Sequence, residues 1–298
     1  MRRRFVTLDV FTRRRLAGNP LAVVRDAEGL DTEAMQAIAR EFNLAETVFV
    51  LPPQNPAHRA RLHIFTPAAE LPFAGHPTVG TAVLLNRIDG SGTRDFVLEE
   101  GIGPIPCATR SDGAERGRAR FTLARLPEEI GQPADTAAIA SALHLEPGEI
   151  GFDAFRPSLW SAGVPFSFVP VRSLDALRRC QPRLEQWDTA FGRHGHSAAY
   201  VFCRETVEPG SAFHARMFAP RLGVYEDPAT GSAAAAFAGV LLRFAPPADG
   251  DHDVVIEQGY ELGRPSLITL SLTVRDHALA GAAIGGEAVT VCEGTIEA

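Results

Sequence analysis

Runs of alternating or uninterrupted apolar residues at 5–11, 59–65, 118–123, 213–218 and 267–274, with Gly, Pro and Asp between them, predict a chain built mostly of β-sheet. Helical periodicity is legible at 31–43, with Asp31 placed to cap the first turn, and at 134–144 and 173–179. Two further segments have no polar face. Residues 78–85 follow Pro72-Phe73-Ala74-Gly75-His76-Pro77, residues 229–242 follow Glu226-Asp227-Pro228, and neither segment carries a charge. A helix apolar all round has to be enclosed by other elements, and small residues let neighbouring backbone come close. Each segment is therefore expected as a core helix wrapped by sheet.

The approaches to these helices also repeat. Ile64-Phe65-Thr66-Pro67 precedes the first and Met217-Phe218-Ala219-Pro220 the second, an offset of 153 residues in a chain of 298. An internal duplication accounts for this: two similar domains, each a β-roll around one apolar helix, joined along a cleft.

A buried helix start leaves backbone N–H groups without partners and carries partial positive charge, so it calls for an anion or a capping side chain. Small residues at 75–80 and 230–232 leave room for a ligand, and two such starts on one cleft would hold a small carboxylate-bearing molecule. Ordinary capping by Thr78, Thr230 and Ser232 is the alternative. Candidate proton carriers near these ends are His76, Asp227 and Glu46, the last between a predicted helix and the apolar run 48–51. A carboxylate pointing into an apolar cleft suits general acid/base work. Each also has a structural reading: a solvated strand-start carboxylate for Glu46, a core histidine satisfied by a carbonyl for His76, and a dipole-complementing carboxylate for Asp227.

Composition narrows the field. A formal net charge of −7 and a pI near 5.7 argue against nucleic acid or an anionic membrane as partner. All 29 basic residues are Arg, and the absence of Lys removes a pyridoxal or substrate Schiff base, a P-loop lysine and a kinase lysine together. Arg2 to Arg4 are followed by no apolar stretch of about 7–15 residues, so no signal peptide is expected, nor a transmembrane segment. Cys107, Cys180, Cys203 and Cys292 are widely spaced and are expected as reduced thiols of a cytoplasmic protein. His194-Gly195-His196 and Asp251-His252-Asp253 fall in predicted loops without partner ligands, and Gly285-Gly286 lacks a strand-to-helix setting. No metal and no cofactor are expected.

Ordered blocks across nearly the whole chain resemble a known family: Asp9-Val10-Phe11-Thr12 with Gly18-Asn19-Pro20-Leu21-Ala22-Val23, Asn43-Leu44-Ala45-Glu46-Thr47-Val48-Phe49, Glu70-Leu71-Pro72-Phe73-Ala74-Gly75-His76-Pro77, Arg216-Met217-Phe218-Ala219-Pro220, Glu226-Asp227-Pro228-Ala229-Thr230-Gly231-Ser232-Ala233, and Glu257-Gln258-Gly259. The chain is similar to the phenazine-biosynthesis PhzF-like isomerases, within the diaminopimelate epimerase-like fold. The resemblance implies an α+β chain of two pseudo-symmetric domains, each a β-roll or barrel around a central helix, with the active site between them and a homodimer as assembly. It suggests a first domain over 1–117, completed by 286–298 with a strand at 288–293, and a second over 118–285.

It further implies cofactor-independent proton transfer on a small carboxylate-bearing substrate, possibly like trans-2,3-dihydro-3-hydroxyanthranilate. Glu46 would be the main acid/base, with His76, Asp227 and Ser232 around the substrate and Asn19, Gly75 and Gly231 helping to bind it. The epimerases of this fold use a cysteine at each helix start; here those places resemble Gly75 and Asp227. With no thiol pair, a single carboxylate moving a proton between two carbons of one conjugated substrate is the expected chemistry. Two alternatives remain: an amino-acid racemase or epimerase using Glu46 and Asp227 as opposed bases, and a non-catalytic carboxylate-binding protein.

Overall fold

The structure, a computed structural model, describes the chain except for residues 91, 114 and 193–196. It divides into two compact units, Met1–Thr122 with Gly285–Ala298, and Leu123–Ile284. The division follows β8 (Arg116–Thr122) instead of cutting it at 117, because β8 pairs along its length with its neighbour in the first unit.

In the first unit β1 (Arg2–Val10) runs antiparallel to β2 (Asn19–Val24), and α1 (Thr32–Phe42) carries the chain to β3 (Glu46–Leu51), parallel to β2. Next come β4 (Ala60–Phe65), antiparallel to β3, and the two-residue β5 (Glu70–Leu71) on its edge. The crossover helix α2 (Gly75–Ile88) then leads to β6 (Thr93–Glu100), parallel to β4, and β7 (Gly103–Ser111) and β8 follow antiparallel. The last strand, β17 (Ala278–Glu297), pairs with β1 and β8 and closes an eight-stranded barrel.

The second unit opens with β9 (Glu128–Gly131) and α3 (Thr136–Leu143) and then repeats the same plan. Strand β10 (Ser158–Ser161) is antiparallel to β11 (Pro165–Pro170); α4 (Leu174–Arg179) and α5 (Leu184–Phe191) cross to β12 (Ala199–Cys203), parallel to β11. Strand β13 (Phe213–Ala219) is antiparallel to β12 and carries β14 (Val224–Asp227) on its edge. Helix α6 (Gly231–Phe244) crosses to β15 (Gly250–Gln258), parallel to β13, and β16 (Ser266–Arg275) follows antiparallel. This is the α+β, diaminopimelate epimerase-like arrangement: the same order of pairings twice, each time with a 14-residue helix in the second crossover.

Both crossover helices are enclosed, as their long uncharged stretches require, and their charges, Arg87 and Arg243, fall in the last turns. Every residue of α2 from Gly75 to Asn86 is buried, against β1, β2, β3, β6, β7 and β8. Helix α6 packs on β9, β10, β11 and β16, and Phe237 meets the rings of Phe168, Tyr200, Phe202 and Phe213 at 4.8–6.2 Å. Gly239 is needed where α6 crosses Trp160, since a Cβ there would stand 2.3 Å from the indole.

The outer faces of the sheets are covered too. Helix α1 lays Met35, Ile38 and Ala39 on Phe49 and Phe65, while α3, α4 and α5 cover β12 with Ile139, Leu143, Leu177 and Trp187. Covered on both faces, β12 and β13 are buried along their whole length.

The differences from the sequence reading are local. The two apolar helices begin at Gly75 and Gly231, not at 78 and 229, and α3 begins at Thr136 because Asp135 accepts from Ala138 N at 2.8 Å. Asp31 caps α1 through Ala34 N at 2.8 Å. Strand β1 stops at Val10, since Phe11 has φ +63°. Asp251, His252 and Asp253 lie within β15 instead of a loop; Asp251 and Asp253 accept from Thr273 and Ser271 across the β15–β16 pair. His194 and His196 lie outside the described residues.

Candidate active site

In the first unit β2, β3 and the start of α2 bring candidate site residues together. Glu46 is the first residue of β3, opposite Leu21 in the parallel pair, and His76 is the second residue of α2. The two side chains meet: His76 Nε2 lies 3.4 Å from Glu46 Oε2, with His76 5% and Glu46 17% exposed. The imidazole also hydrogen-bonds the Pro20 backbone, which has only a carbonyl to offer, so the ring donates there. Nε2 has no hydrogen-bond partner among the described residues, which leaves Nδ1 as the donor to Pro20 and Nε2 as a bare lone pair facing the Glu46 carboxylate.

Burial lowers the His76 pKa to about 3, opposed by the Pro20 bond, so the ring is neutral at pH 7. The Gly18-Asn19-Pro20 block now has a physical reading. Gly18 has φ +67° and a Cβ there would stand 2.3 Å from the Val10 carbonyl, Asn19 is fully buried at the start of β2, and Pro20 fixes the histidine tautomer.

One prediction follows from the buried imidazole. The unfolded chain binds a proton at His76 below about pH 6.5 while the folded chain does not until about pH 3. The unfolded state then holds more protons, so stability is present above 6.5 and falls with pH, by up to about 1.4 kcal/mol per unit. Urea unfolding from pH 7 to pH 4 should show wild type losing stability relative to His76→Gln across that window. A constant difference between the two would place a charged His76 in the folded chain.

Below the start of α2 sits a group that the sequence reading passed over. Glu100, the last residue of β6, is buried, and burial pushes its carboxyl up to about 8 against the opposing hydrogen bond from Thr78. Thr78 Oγ1 lies 2.8 Å from both the Ala74 carbonyl and Glu100 Oε1. One hydroxyl proton cannot serve both acceptors; a protonated Glu100 supplies the second. Thr78 is thus occupied within the helix turn and caps nothing. Its alternation in β6 and distance from the motif blocks gave no sequence signal for Glu100.

In the second unit Asp227 ends β14, and Gly231 and Ser232 are the first two residues of α6, as Gly75 and His76 are of α2. Neither N-cap residue, Ala74 or Thr230, closes a side-chain hydrogen bond on its helix, and the first backbone bonds are Thr78 N to Ala74 O and Ala234 N to Thr230 O. The capping alternative therefore fails for Thr78 and Thr230, and Ser232 is already inside the helix. Thr230 instead donates its hydroxyl to Asp227 Oδ2 at 2.6 Å.

The chain before Asp227 is fastened by Arg216 on β13, which grips both oxygens of Glu226 at 2.8 Å with both side chains nearly buried. Sequence singled out the Arg216 and Glu226 blocks without pairing them. The thiols stay away from both helix starts: Cys107 is in β7, Cys180 follows α4, Cys203 ends β12 and Cys292 is in β17. Burial raises Cys107, Cys180 and Cys203 to about 12.

Comparison with known proteins gives the family. The family described as phenazine biosynthesis-like protein, PhzC-PhzF, matches residues 8–294. An uncharacterized isomerase of Mesorhizobium japonicum is 56% identical over 99% of this chain and 98% of its own. The trans-2,3-dihydro-3-hydroxyanthranilate isomerase of Pseudomonas fluorescens is 36% identical over 98% of each chain. The crystal structure of a PhzF-family phenazine biosynthesis protein of Bacillus anthracis superposes with a TM-score of 0.89 at 26% identity, covering 100% of both chains. The chain belongs to the PhzF family of phenazine biosynthesis-like isomerases.

Proposed function

We propose that the protein is a proton-shifting isomerase of a small, conjugated, carboxylate-bearing substrate, with Glu46 as its acid/base. The observation that carries this reading is the Glu46–His76 pair, a carboxylate 3.4 Å from a neutral imidazole whose tautomer a carbonyl fixes. The Glu46 carboxylate removes a proton from a saturated ring carbon, and the C–H electron pair moves into the conjugated system. The same carboxylate, after its proton has exchanged with solvent, delivers a proton at the far carbon, so one proton leaves and one is added, atoms balance and only a double bond moves. His76 Nε2 faces the oxygen that carries the proton in transit and accepts a hydrogen bond from it.

The starts of α2 and of α6 are each uncapped by their N-cap side chains, and N–H groups at such a start suit a substrate carboxylate or charge developing on it, donors of this kind being typically worth about 10²–10³ in rate. Asn19 and Gly75 in the first unit, and Asp227, Gly231 and Ser232 in the second, are the further residues proposed for substrate, with Asp227 as a proton-handling carboxylate. The compound named by the 36%-identical relative, trans-2,3-dihydro-3-hydroxyanthranilate, is the first to try. A cytoplasmic homodimer is the assembly we propose, checked by sedimentation; no helix among the described residues is long and apolar enough to cross a membrane.

The test is proton NMR of that compound with the protein in deuterium oxide. Conversion with deuterium entering at a ring carbon supports the reading. Exchange at one carbon without conversion points to a working base and another substrate. Binding with neither, in both wild type and Glu46→Gln, would make the protein a carboxylate-binding protein.

A further inference from the structure

Asp227 is approached from behind by a side chain that the proposed chemistry does not use. Gln258, the last residue of β15, is fully buried. Its neighbour Glu257 points to the opposite face of the strand, where it accepts from the backbone N–H groups of Val207 and Glu208 and pairs with His214 at 2.6 Å. With the strand anchored on that side, the Gln258 amide faces the turn between β14 and α6. Gly259 completes the approach: its φ is +80° and a Cβ would stand 2.5 Å from the Pro228 carbonyl.

The amide makes three hydrogen bonds to this turn. Oε1 accepts from Thr230 N at 3.2 Å, and Nε2 donates to the Asp227 carbonyl at 2.8 Å and to Thr230 Oγ1 at 3.0 Å. The alternative amide orientation would oppose NH₂ to N–H and oxygen to oxygen, so the surrounding network selects this one. Both Nε2 protons are then spent. Because Thr230 Oγ1 accepts from Gln258, its own single proton turns to the remaining near acceptor, Asp227 Oδ2 at 2.6 Å.

We infer that Gln258 is a positioning residue for Asp227, acting through the Thr230 hydroxyl to keep Oδ2 an acceptor and to direct any proton that Asp227 handles to Oδ1. The chain of donors also favours the ionised carboxylate, since a hydrogen bond to the charged form stabilises that form. This rests on the proposed role of Asp227 at the site. Among the charged and titratable groups of the described residues, Tyr200 on β12 is kept protonated by burial and by the Asp227 charge, and the adjoining Glu226 is neutralised by Arg216.

The test reads the Asp227 carboxyl directly, by carbon NMR titration of protein labelled at aspartate, with Asp227→Asn to assign the signal. Thr230→Val removes the hydroxyl and should raise the Asp227 midpoint by about 1–2 pH units, the loss expected for one hydrogen bond to a charged group. Thr230→Ser keeps the donor and should stay at the wild-type value. Gln258→Leu should raise the midpoint by less, because the hydroxyl is released to rotate, and Gln258→Leu/Thr230→Val should match Thr230→Val alone, because the glutamine acts through the threonine.

An unchanged midpoint in folded Thr230→Val, or additive shifts in the double variant, would overturn the inference. If wild type converts trans-2,3-dihydro-3-hydroxyanthranilate, Thr230→Val should lower kcat with KM held. If it does not, that substrate is wrong while the titration still decides the role of Gln258.

Discussion

Glu46→Gln should lower turnover of the isomerised substrate by about 10²–10⁴-fold while leaving KM within a few-fold, the range that general acid–base catalysis contributes. Glutamine has nearly the shape of glutamate, so the substrate meets the same surface; what disappears is a group able to take a proton from carbon. His76 cannot take over. Burial has lowered it to about 3, so at neutral pH its lone pair is a base far weaker than an ordinary imidazole. His76→Gln should therefore cost less than Glu46→Gln, since it removes a group that faces the acid/base and not the acid/base itself. The decisive measurement is deuterium incorporation into product under single-turnover conditions. Incorporation in Glu46→Gln at the wild-type rate would remove Glu46 from the chemistry and turn attention to Asp227.

Backbone features that depend on short motifs were legible in the sequence, because the motifs sit where the backbone allows little else. Gly18, Gly75 and Gly231 mark close approaches and helix starts, and the uncharged stretches 78–85 and 229–242 could only be core. The contacts made across strands were not legible. Gln258 lies 28 residues from Thr230 and Arg216 10 from Glu226, and only the β13–β14 and β13–β15 pairings bring these partners together. Pairing register follows from tertiary packing, which no local periodicity encodes. Glu100 was hidden for the opposite reason. It follows an acidic neighbour at an apparent strand end, where a solvated carboxylate is the ordinary reading, and only enclosure under α2 makes it neutral. Helix α5 went unread because eight residues, with Trp187, Ala190 and Phe191 on one face, give barely two turns of periodicity.

Arg216→Met should be the most destabilising single change in the second unit, by about 3–5 kcal/mol, the cost of leaving one partner of a buried ion pair alone. The guanidinium is widely engaged: Nε and Nη2 donate to Glu226, and Nη1 is shared among the carbonyls of Leu177, Arg178 and Cys180 at 2.9, 3.1 and 2.9 Å. Those carbonyls end α4, where, among the described residues, only Leu177 O keeps a backbone donor, Cys180 N, so the same side chain neutralises Glu226 and caps a helix.

The two roles separate in a double variant. Arg216→Met/Glu226→Leu removes the stranded carboxylate but still takes the Arg216 donor from three carbonyls, of which Leu177 alone keeps a backbone donor, so it should recover part of the loss. Glu226→Leu alone leaves the arginine on its carbonyls yet strands its charge. Both tryptophans, Trp160 and Trp187, belong to the second unit, so their fluorescence in urea reports this unit by itself. Full recovery in the double variant would assign the whole cost to the lone carboxylate, and no recovery would assign it to the helix end. An Arg216→Met midpoint equal to wild type would mean that the pair contributes nothing to stability and serves only to hold Glu226, and with it Asp227, in place.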